Sequence, residues 1–441
     1  MQLLRVQPSK LSGEITAPPS KSYTHRAFAI ALLAEGKSRI KNPLLGHDTM
    51  ATIEAARILG AKIARKGDIW EVTGVGRKIS PALEEIDAKN SGTTMRLFSA
   101  ISALSPKPIK ITGDSSLLKR PMGPLIDALT KLGARGKCHG REGRPPVVVG
   151  GPLEGGEVEI TGKISSQFIS ALLIAAPLTP NGVEIRITEE LRSKPYVEIT
   201  LELLEKAGAK IKRDSSLMNF KIPGNQSLRP LNITIPGDFS SAAFILGAAA
   251  ITDSRVKVKN LDLRTAQGDK RIVDYLEKFG AELSISKESV EVLGGAGLCG
   301  IDLDCADTPD LVPVLSVVGC VAEGSTTIFN VPHLRLKESD RLKVLSLGLS
   351  RLGADVREME DGLRIKGGKK LRGNRVSSYG DHRMAMAFGI AGLVAEGETL
   401  VDGAESIPVS YPTFVEDMRK LGAKMVVEEV SPPSYRKGEK R

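Results

Sequence analysis

The sequence contains few aromatic residues: Phe, Tyr and Trp together make up 4% of its 441 residues, and Trp70 is the only tryptophan. Proteins that stack nucleic-acid bases need aromatic side chains among clustered basic residues. A nucleic-acid partner is therefore disfavoured, although the formal net charge is +10. The excess of Lys and Arg instead indicates anionic small molecules as ligands. We expect the compact basic cluster of Arg436, Lys437, Lys440 and Arg441 to be a solvated tail.

Cysteines are also few, and long hydrophobic runs are missing. The four cysteines form no CxxC pair and are too few for a disulfide scaffold, which argues against a zinc ribbon and a disulfide-rich fold. The longest apolar runs, such as Ala242 to Ile251, reach about ten residues, whereas a membrane span needs about 18. Because the first residues lack a signal-peptide stretch, we expect a cytoplasmic protein with no membrane partner. The sequence has no metal-ligand spacing, Walker loop or dinucleotide-binding fingerprint, so we expect neither a metal nor a cofactor.

One pattern occurs six times along the chain. An aliphatic segment ends in Gly-Ala and is followed by a charged strand, with the glycines at Gly60, Gly133, Gly208, Gly280, Gly353 and Gly422. Their spacings are 73, 75, 72, 73 and 69 residues. A helix that ends in a left-handed residue favours glycine there, because glycine has no Cβ to clash. The spacing therefore predicts six copies of one supersecondary unit.

A second pattern runs in phase with the first. Short polar segments open Ala-rich apolar helices, and they begin at Pro19, Asn90, Ile164, Pro236, Thr308 and Tyr379. Helices that are apolar all round are expected to be buried, and six polar helix N-termini facing one space would attract anions. We divide the units three and three into two lobes, with chain crossings near residues 17–19 and 235–238. The first strand is expected to pair with the C-terminal half.

Cation-bearing segments from both halves are predicted to face the cleft between the lobes. The candidate ligand-binding residues are Lys21, Ser22, Arg26, Asn90, Gly92, Arg96, Arg120, Ser165, Ser166, Gln167, Ser193, Tyr196, Lys337, Arg341, His382 and Arg383. Arg120 precedes a proline and so has an extended backbone, which can aim its guanidinium at a carboxylate or phosphate. Each candidate also has an ordinary structural interpretation, namely helix capping for the serines and an exposed surface for the charged residues.

Two carboxylates in the second half, Asp310 and Glu338, are candidate acid and base groups. Asp310 lies between apolar neighbours, so burial and a nearby anion would raise its pKa towards that of a general base. Glu338 lies between Lys337 and Arg341 in the sequence, and these two residues would share one face if the segment is helical. The alternatives are that Asp310 is a helix cap and that residues 333–342 form a salt-bridged surface helix.

Eight stretches of the sequence resemble those of the EPSP synthase family, the 3-phosphoshikimate 1-carboxyvinyltransferases. They are PSKSYTHRA, NSGTTMR, KRPMGPLIDAL, SSQFISALL, SKPYVEITL, TPDLVPVL, LRLKESDRL and GDHRMAMA, and they occur in the family's order along the whole chain. The resemblance implies an α/β fold of two similar domains, each with three βαβαββ units around a pseudo-threefold axis, as in an inside-out barrel. The domains would be residues 18–236 and residues 1–17 with 237–441. It also implies a monomeric enzyme of the shikimate pathway to the aromatic amino acids, whose partners are shikimate 3-phosphate and phosphoenolpyruvate.

The resemblance also implies roles for single residues. Lys21, Ser22 and Arg26 would contact both substrates. Gly92, Arg120, Arg341 and Arg383 would hold phosphoenolpyruvate, with Asn90 and Arg96 in the same pocket, whereas Ser165, Ser166, Gln167, Ser193, Tyr196 and Lys337 would serve shikimate 3-phosphate. Asp310 would accept the proton of the substrate 5-hydroxyl, Glu338 would protonate the methylene carbon of phosphoenolpyruvate, and Lys21 and Lys337 would assist. Because Gly92 matches the glycine associated with glyphosate sensitivity, we expect glyphosate to compete with phosphoenolpyruvate.

Two positions depart from the family pattern. His333 stands where the family often has Asn, and the segment from Ile407 to Pro412 lacks a Lys that many members have. The rival family, which transfers enolpyruvyl to UDP-N-acetylglucosamine, carries Lys-Asn in place of Lys21-Ser22 and usually a Cys before the Arg-Pro that matches Arg120. The loop GDSSLLKRP contains no Cys. A degenerate, inactive paralogue is disfavoured by the joint presence of Lys21, Asp310 and Glu338.

Overall fold

The computed structural model describes residues 2–430, so the C-terminal basic cluster lies outside the described residues. Over this range no helix combines the length and the apolar character that a membrane crossing requires. The helices in the described range are α1 Lys21–Leu33, α2 His47–Ile58, α3 Gly92–Ser102, α4 Gly123–Lys131, α5 Ser166–Ala175, α6 Lys194–Lys206, α7 Phe239–Ile251, α8 Ile272–Phe279, α9 Val312–Val321, α10 Arg341–Arg351, α11 His382–Gly392 and α12 Phe414–Lys420.

The strands of the same range are short and alternate with the helices. They are β1 Gln2–Gln7, β2 Ser12–Thr16, β3 Lys37–Lys41, β4 Lys62–Lys66, β5 Ile69–Thr73, β6 Glu85–Asp87, β7 Ile109–Thr112, β8 Arg135–Gly140, β9 Arg144–Gly150, β10 Gly156–Ile160, β11 Val183–Ile187, β12 Lys212–Arg213, β13 Asn219–Ile222, β14 Asn232–Thr234, β15 Arg255–Lys259, β16 Glu282–Ser286, β17 Ser289–Leu293, β18 Asp302–Asp304, β19 Ser325–Phe329, β20 Asp355–Glu358, β21 Leu363–Lys366, β22 Arg375–Ser377, β23 Thr399–Asp402 and β24 Lys424–Glu429.

Residues 2–430 form six four-stranded sheets with one common plan, which confirms the predicted sixfold repeat. The strand orders are β14-β3-β5-β4, β6-β7-β9-β8, β10-β11-β13-β12, β2-β15-β17-β16, β18-β19-β21-β20 and β22-β23-β1-β24. In each sheet a parallel pair is followed by two antiparallel pairs. β6-α3-β7-α4-β8-β9 shows the βαβαββ unit without interruption. The six repeat glycines have φ between +84° and +108°, the left-handed conformation that their positions after a helix predicted.

The apolar helices form the centre of two separate hydrophobic cores. One core runs from Tyr23 to Ile235, and the other contains Leu4 to Ala17 and Phe239 to Met425. In the first, α3 packs against α1 and α5, and in the second α7, α9 and α11 pack against one another. Every residue of α3, α7 and α11 is buried, as their apolar sequences predicted. We call the two cores, with their sheets, the first and second lobes.

The chain passes between the lobes at two adjacent points. Pro19 and Gly237 form a β-bridge, and the backbone N–H of Ser20 donates to Pro236 O at 2.8 Å. The first strands belong to the second lobe, because β1 pairs with β23 and β24 and β2 pairs with β15, as predicted. We propose that the boundaries lie at these crossings, with residues 18–236 in the first lobe and residues 2–17 and 237–430 in the second.

The close approach of α10 and α11 at Gly348 gives a test of the packing. A Cβ at Gly348 would lie 2.2 Å from Cζ of Phe388, a contact that only a shift of the helices or the ring could relieve. We expect Gly348→Ala to lower the free energy of unfolding by about 1–3 kcal/mol, measured by chemical denaturation. Gly297→Ala is the control, because no atom lies within 4 Å of its added Cβ. Equal stability of the two variants would contradict this packing.

Candidate active site

A cavity between the lobes contains the polar starts of helices from both. Its volume is about 70 Å³. Its lining comprises Lys21, Ser22, Asp48, Gly92, Thr93, Arg96, Arg120, Ile164, Ser165, Ser166, Gln167, Arg192, Ser193 and Tyr196 from the first lobe, and Asp310, His333, Leu336, Lys337, Glu338, Arg341, His382 and Arg383 from the second. Several of these residues begin helices, whose free N–H groups and positive dipole ends favour anions.

Most of the predicted site residues line this cavity, but Arg26 and Asn90 do not. The Arg26 guanidinium lies behind the wall and donates to Thr200 Oγ1 at 2.7 Å and to Ser170 Oγ at 3.3 Å. Asn90 accepts a hydrogen bond from Arg120 Nη2 at 2.9 Å, so it contacts a lining residue rather than the free space. These two residues therefore support the wall of the empty cavity.

The start of α7 was expected at the cavity, but it is not part of the lining. Asp238, the N-cap residue of α7, is buried and accepts a hydrogen bond from Ser241 Oγ at 2.6 Å. The preceding Gly237 pairs with Pro19 at the chain crossing. This helix start therefore serves the connection between the lobes, and the sequence pattern alone does not distinguish that use from ligand binding.

Asp310 is held by three hydrogen-bond donors from both lobes. Its Oδ1 accepts from Arg341 Nη1 at 2.9 Å, and its Oδ2 accepts from Arg383 Nη2 at 2.9 Å and from the Tyr196 hydroxyl at 2.8 Å. Burial would raise the pKa of Asp310, but Arg383 and Arg341 outweigh it and hold the pKa well below its usual range. The prediction of a raised pKa for Asp310 is therefore wrong for the empty site. The residues next to Asp310 in the sequence are apolar and do not show that Arg341 and Arg383 contact it.

Glu338 lies in a break between a short 3-10 turn, Pro332–Leu336, and α10. Its Oε2 accepts from Arg341 Nη2 at 2.8 Å, and Oε1 lies 3.5 Å from Arg120 Nη1. Burial opposes ionisation, yet Arg120 and Arg341 lower the pKa of this carboxyl well below its usual value. The helical face predicted for Lys337 and Arg341 is wrong, since α10 begins only at Arg341. The surface-helix alternative is wrong as well, since Arg341 is 1% exposed.

The Arg341 guanidinium joins the two candidate acids to a third carboxylate. Besides Asp310 and Glu338, it contacts Asp381 through Nε at 2.8 Å. Asp381 caps α11 by accepting from the backbone N–H of Arg383 at 2.9 Å. Burial by itself would lower the pKa of Arg341, but Asp381, Glu338 and Asp310 together raise it. Sequence reasoning missed Asp381, although it stands beside His382 in a segment already singled out.

The first lobe contributes a second hydrogen-bonded group. Arg96 Nη1 donates to Gln167 Oε1 at 2.6 Å, and Gln167 Nε2 donates to Thr93 Oγ1 at 2.9 Å. Burial, followed by repulsion from Arg120, lowers the pKa of Arg96 to about 9, so it remains charged at neutral pH. The side-chain amide of Gln167 thus holds the buried Arg96 guanidinium at the cavity wall.

Positive charge dominates the lining. It includes seven Lys or Arg side chains and three carboxylates, of which Asp48 pairs with Lys21 at 3.1 Å. Neither Asp48 nor the cation Arg192 was identified from the sequence, although Asp48 stands in the first turn of α2, where polar residues are common. The cavity therefore suits a ligand set with several negative charges.

His333 is buried in the lining, and neither ring nitrogen has a hydrogen-bond partner within residues 2–430. Burial and the neighbouring Lys337 and Arg192 lower the pKa of His333 to about 3. The imidazole is therefore neutral at physiological pH, with one nitrogen able to donate and the other able to accept. Burial also lowers the pKa of His382 well below its usual value, so neither histidine adds a cation.

In the described part of the chain, no group of three or more His, Cys, Asp or Glu residues is arranged so that it could hold a metal ion. A more open groove of about 500 Å³ is lined by residues of β10, β11, β12 and β13. Its charged side chains, such as Lys212 and Lys221, are exposed. The buried acids and guanidiniums that chemistry needs occur in the cavity between the lobes.

Known proteins resemble this chain over nearly its whole length. The family model described as EPSP synthase (3-phosphoshikimate 1-carboxyvinyltransferase) matches residues 6–418. The 3-phosphoshikimate 1-carboxyvinyltransferase of Methanocaldococcus jannaschii is 44% identical over 433 residues, which cover 97% of this chain and 100% of that protein. The enzyme of the same name from Methanococcoides burtonii is 47% identical over 96% of this chain and 98% of its own length.

A solved structure of the EPSP synthase from Acinetobacter baumannii superimposes with a TM-score of 0.82. It is 30% identical, and the match covers 97% of this chain and 100% of that one. The predicted fold class, an α/β fold of two similar domains, is thereby confirmed. The repeats, the cavity motifs and these matches over nearly the whole length agree, and the chain belongs to the EPSP synthase family.

Proposed function

We propose that this protein transfers the enolpyruvyl group of phosphoenolpyruvate to the 5-hydroxyl of shikimate 3-phosphate and releases phosphate. The observation that carries the proposal is Arg341, whose buried guanidinium contacts both Asp310 and Glu338 within 2.9 Å. A base and an acid are thus placed around one cation in a cavity that suits multiply charged anions. These groups match an addition between an alcohol and an enol phosphate.

The reaction begins with two proton transfers. Glu338 donates a proton to the methylene carbon of phosphoenolpyruvate, which makes the adjacent carbon electrophilic. The 5-hydroxyl oxygen bonds to that carbon while Asp310 takes the hydroxyl proton. The product of this step is a tetrahedral intermediate that carries both the phosphate and the new ether oxygen.

Elimination then restores the double bond. The Glu338 carboxylate takes a proton back from the new methyl group as the carbon–oxygen bond to phosphate breaks. The proton on Asp310 is available to the leaving phosphate, so each acid ends in its starting state. Lys21, Arg120, Arg341 and Arg383 stabilise the charge on the departing group. Closed lobes would exclude the water that could otherwise capture the activated carbon.

The two substrates are assigned to different walls. We place the carboxylate and phosphate of phosphoenolpyruvate against Arg120, Arg341 and Arg383. Shikimate 3-phosphate takes the serines and amide at the start of α5, Ser165 to Gln167, together with Ser193, Tyr196 and Lys337. Neutral His333 offers the same substrate a donor and an acceptor. We also propose that the protein acts as a monomer in the cytoplasm.

In the empty site the pKa values of both candidate catalytic carboxyls are too low for proton donation, and bound substrate would raise them. An acid with a strongly lowered pKa does not donate a proton at neutral pH, and Asp310 and Glu338 are both held ionised by guanidiniums. A bound phosphoenolpyruvate anion would share the same guanidiniums, weaken their hold on the acids and raise both pKa values. The catalytic carboxylates therefore occupy, before binding, the contacts that the substrate anion later takes.

Phosphate release tests the proposed reaction. Mixing the wild-type protein with both substrates is expected to release inorganic phosphate, and omitting either substrate is expected to prevent it. Asp310→Ala and Glu338→Ala should each lower kcat by about 100-fold or more, the usual contribution of a general acid or base. Wild-type protein that releases no phosphate would refute the proposed function, and fully active variants would refute the assigned roles.

Replacing either acid with its amide should improve anion binding while impairing turnover. Asp310→Asn and Glu338→Gln remove a charge that competes for the guanidiniums, so the Kd for phosphoenolpyruvate should fall by roughly tenfold in calorimetric titrations. Asp340→Asn is the matched control, because Asp340 is an N-cap outside the cavity and Asn caps equally well. Unchanged or weaker binding in both amide variants would contradict the competition.

Glyphosate, which carries a carboxylate and a phosphonate, is expected to compete with phosphoenolpyruvate. Gly92 adjoins the proposed contacts, since a Cβ there would lie 2.9 Å from Arg120 Nη1. Steady-state inhibition should raise the apparent KM for phosphoenolpyruvate and leave kcat unchanged. Absence of competition at every glyphosate concentration would refute this expectation.

A further inference from the structure

Ser116 joins the first lobe to the main chain of the proposed proton donor. Its hydroxyl donates to the carbonyl oxygen of Glu338 at 3.1 Å. Ser116 lies in the turn before Arg120, is not part of the cavity lining, and borders a separate groove that Glu338 also lines. It therefore contacts the backbone of Glu338 from a position that the cavity does not reach.

The main chain of Glu338 has little other support. It falls between the 3-10 turn and α10, so neither provides its backbone with a helical hydrogen bond. Within residues 2–430, the hydrogen bond from Ser116 is the only one that its N–H or C=O makes. The hydrogen bond from Ser116 consequently restrains the backbone of Glu338, which makes no backbone hydrogen bond within the described part of its own lobe.

The turn that carries Ser116 is itself well fixed. Asp114 Oδ1 accepts from the backbone N–H groups of Ser116 at 3.0 Å and Leu117 at 2.8 Å. Its Oδ2 accepts from Asn90 Nδ2 at 2.7 Å, and Asn90 in turn accepts from Arg120. Arg120 reaches the Glu338 carboxylate at 3.5 Å, so one bonded unit of the first lobe holds Glu338 at both ends.

We propose that Ser116 is a positioning residue that couples closure of the lobes to placement of the Glu338 carboxylate for proton transfer. This inference rests on the proposed function, in which Glu338 protonates the methylene carbon. When the lobes separate, the Ser116 bond and the Arg120 contact break together, and the acid loses its alignment. Proton donation is then favoured only in the closed form, from which water is excluded.

The test compares side chains at position 116 with and without a hydroxyl. Ser116→Ala and Ser116→Val should lower kcat by about fivefold to tenfold, the loss expected for one hydrogen bond that acts in the transition state. Ser116→Thr, which has the shape of the Val variant but keeps the hydroxyl, should restore kcat to within about twofold, as the same bond requires. Ser115→Ala is the control, because Ser115 is exposed in the same turn.

A solvent isotope effect separates positioning from a general loss of structure. Slower proton transfer in the Ala and Val variants should increase the deuterium effect on kcat above the wild-type value. The KM for shikimate 3-phosphate should stay near the wild-type value, because Ser116 does not touch the start of α5. If the Ala variant does not fold, the comparison is made between the Thr and Val variants, whose side chains have the same shape and differ only in the hydroxyl.

Two results would overturn the inference. One is wild-type kcat and isotope effect in the Ala and Val variants; the other is failure of Thr to restore them. Turnover by the wild-type protein in the same assay tests the proposed function separately. If the wild-type protein is active and the Ala and Val variants have the same kcat and isotope effect, only the positioning role of Ser116 is rejected.

Discussion

Seven cationic side chains and three carboxylates share one largely buried cavity, and the rest of the site depends on how their charges are balanced. Cations this close repel one another and cannot be stripped of water without partners. Arg341 meets that requirement through Asp310, Glu338 and Asp381. Two of these partners are the groups proposed to move protons, so the same contacts that stabilise the empty site also favour the ionised form of both groups.

The repeated fold makes such a concentration of charge possible. Each unit buries an apolar helix and leaves its polar start at the end of a short strand, and several units in each lobe direct that start to a shared space. Helix dipoles and unpaired N–H groups then add to the side-chain charges without any further residues. The cavity results from repetition of one simple unit more than from any single specialised loop.

Much of this arrangement was predictable from the sequence. Glycine spacing and the polar segments identified six units, because helix ends and helix starts have strong local preferences that burial does not override. The motifs also identified most of the residues that line the cavity, because charged and polar residues at the start of a buried apolar helix face the space beyond its end.

Contacts between distant segments were not predictable in the same way. Nothing local to Asp310 indicates that Arg341 and Arg383 will neutralise it, so the direction of its pKa was misjudged. The charges around Glu338 have a spacing typical of a helix, but residues 337–339 form bends between a 3-10 turn and α10. Arg26 has the sequence features of a ligand residue, and only the positions of Thr200 and Ser170 reveal that it is already bonded.

The pairing of β1 with β23 and β24 has a consequence for synthesis of the chain. Among the described strands β1 is synthesised first, yet its two partners, β23 and β24, are synthesised last. All three sheets of the first lobe are complete once β14 appears, so that lobe can finish its core while the leading strand is still unpaired. The sheet that contains β1 is therefore the last of the six described sheets to be completed.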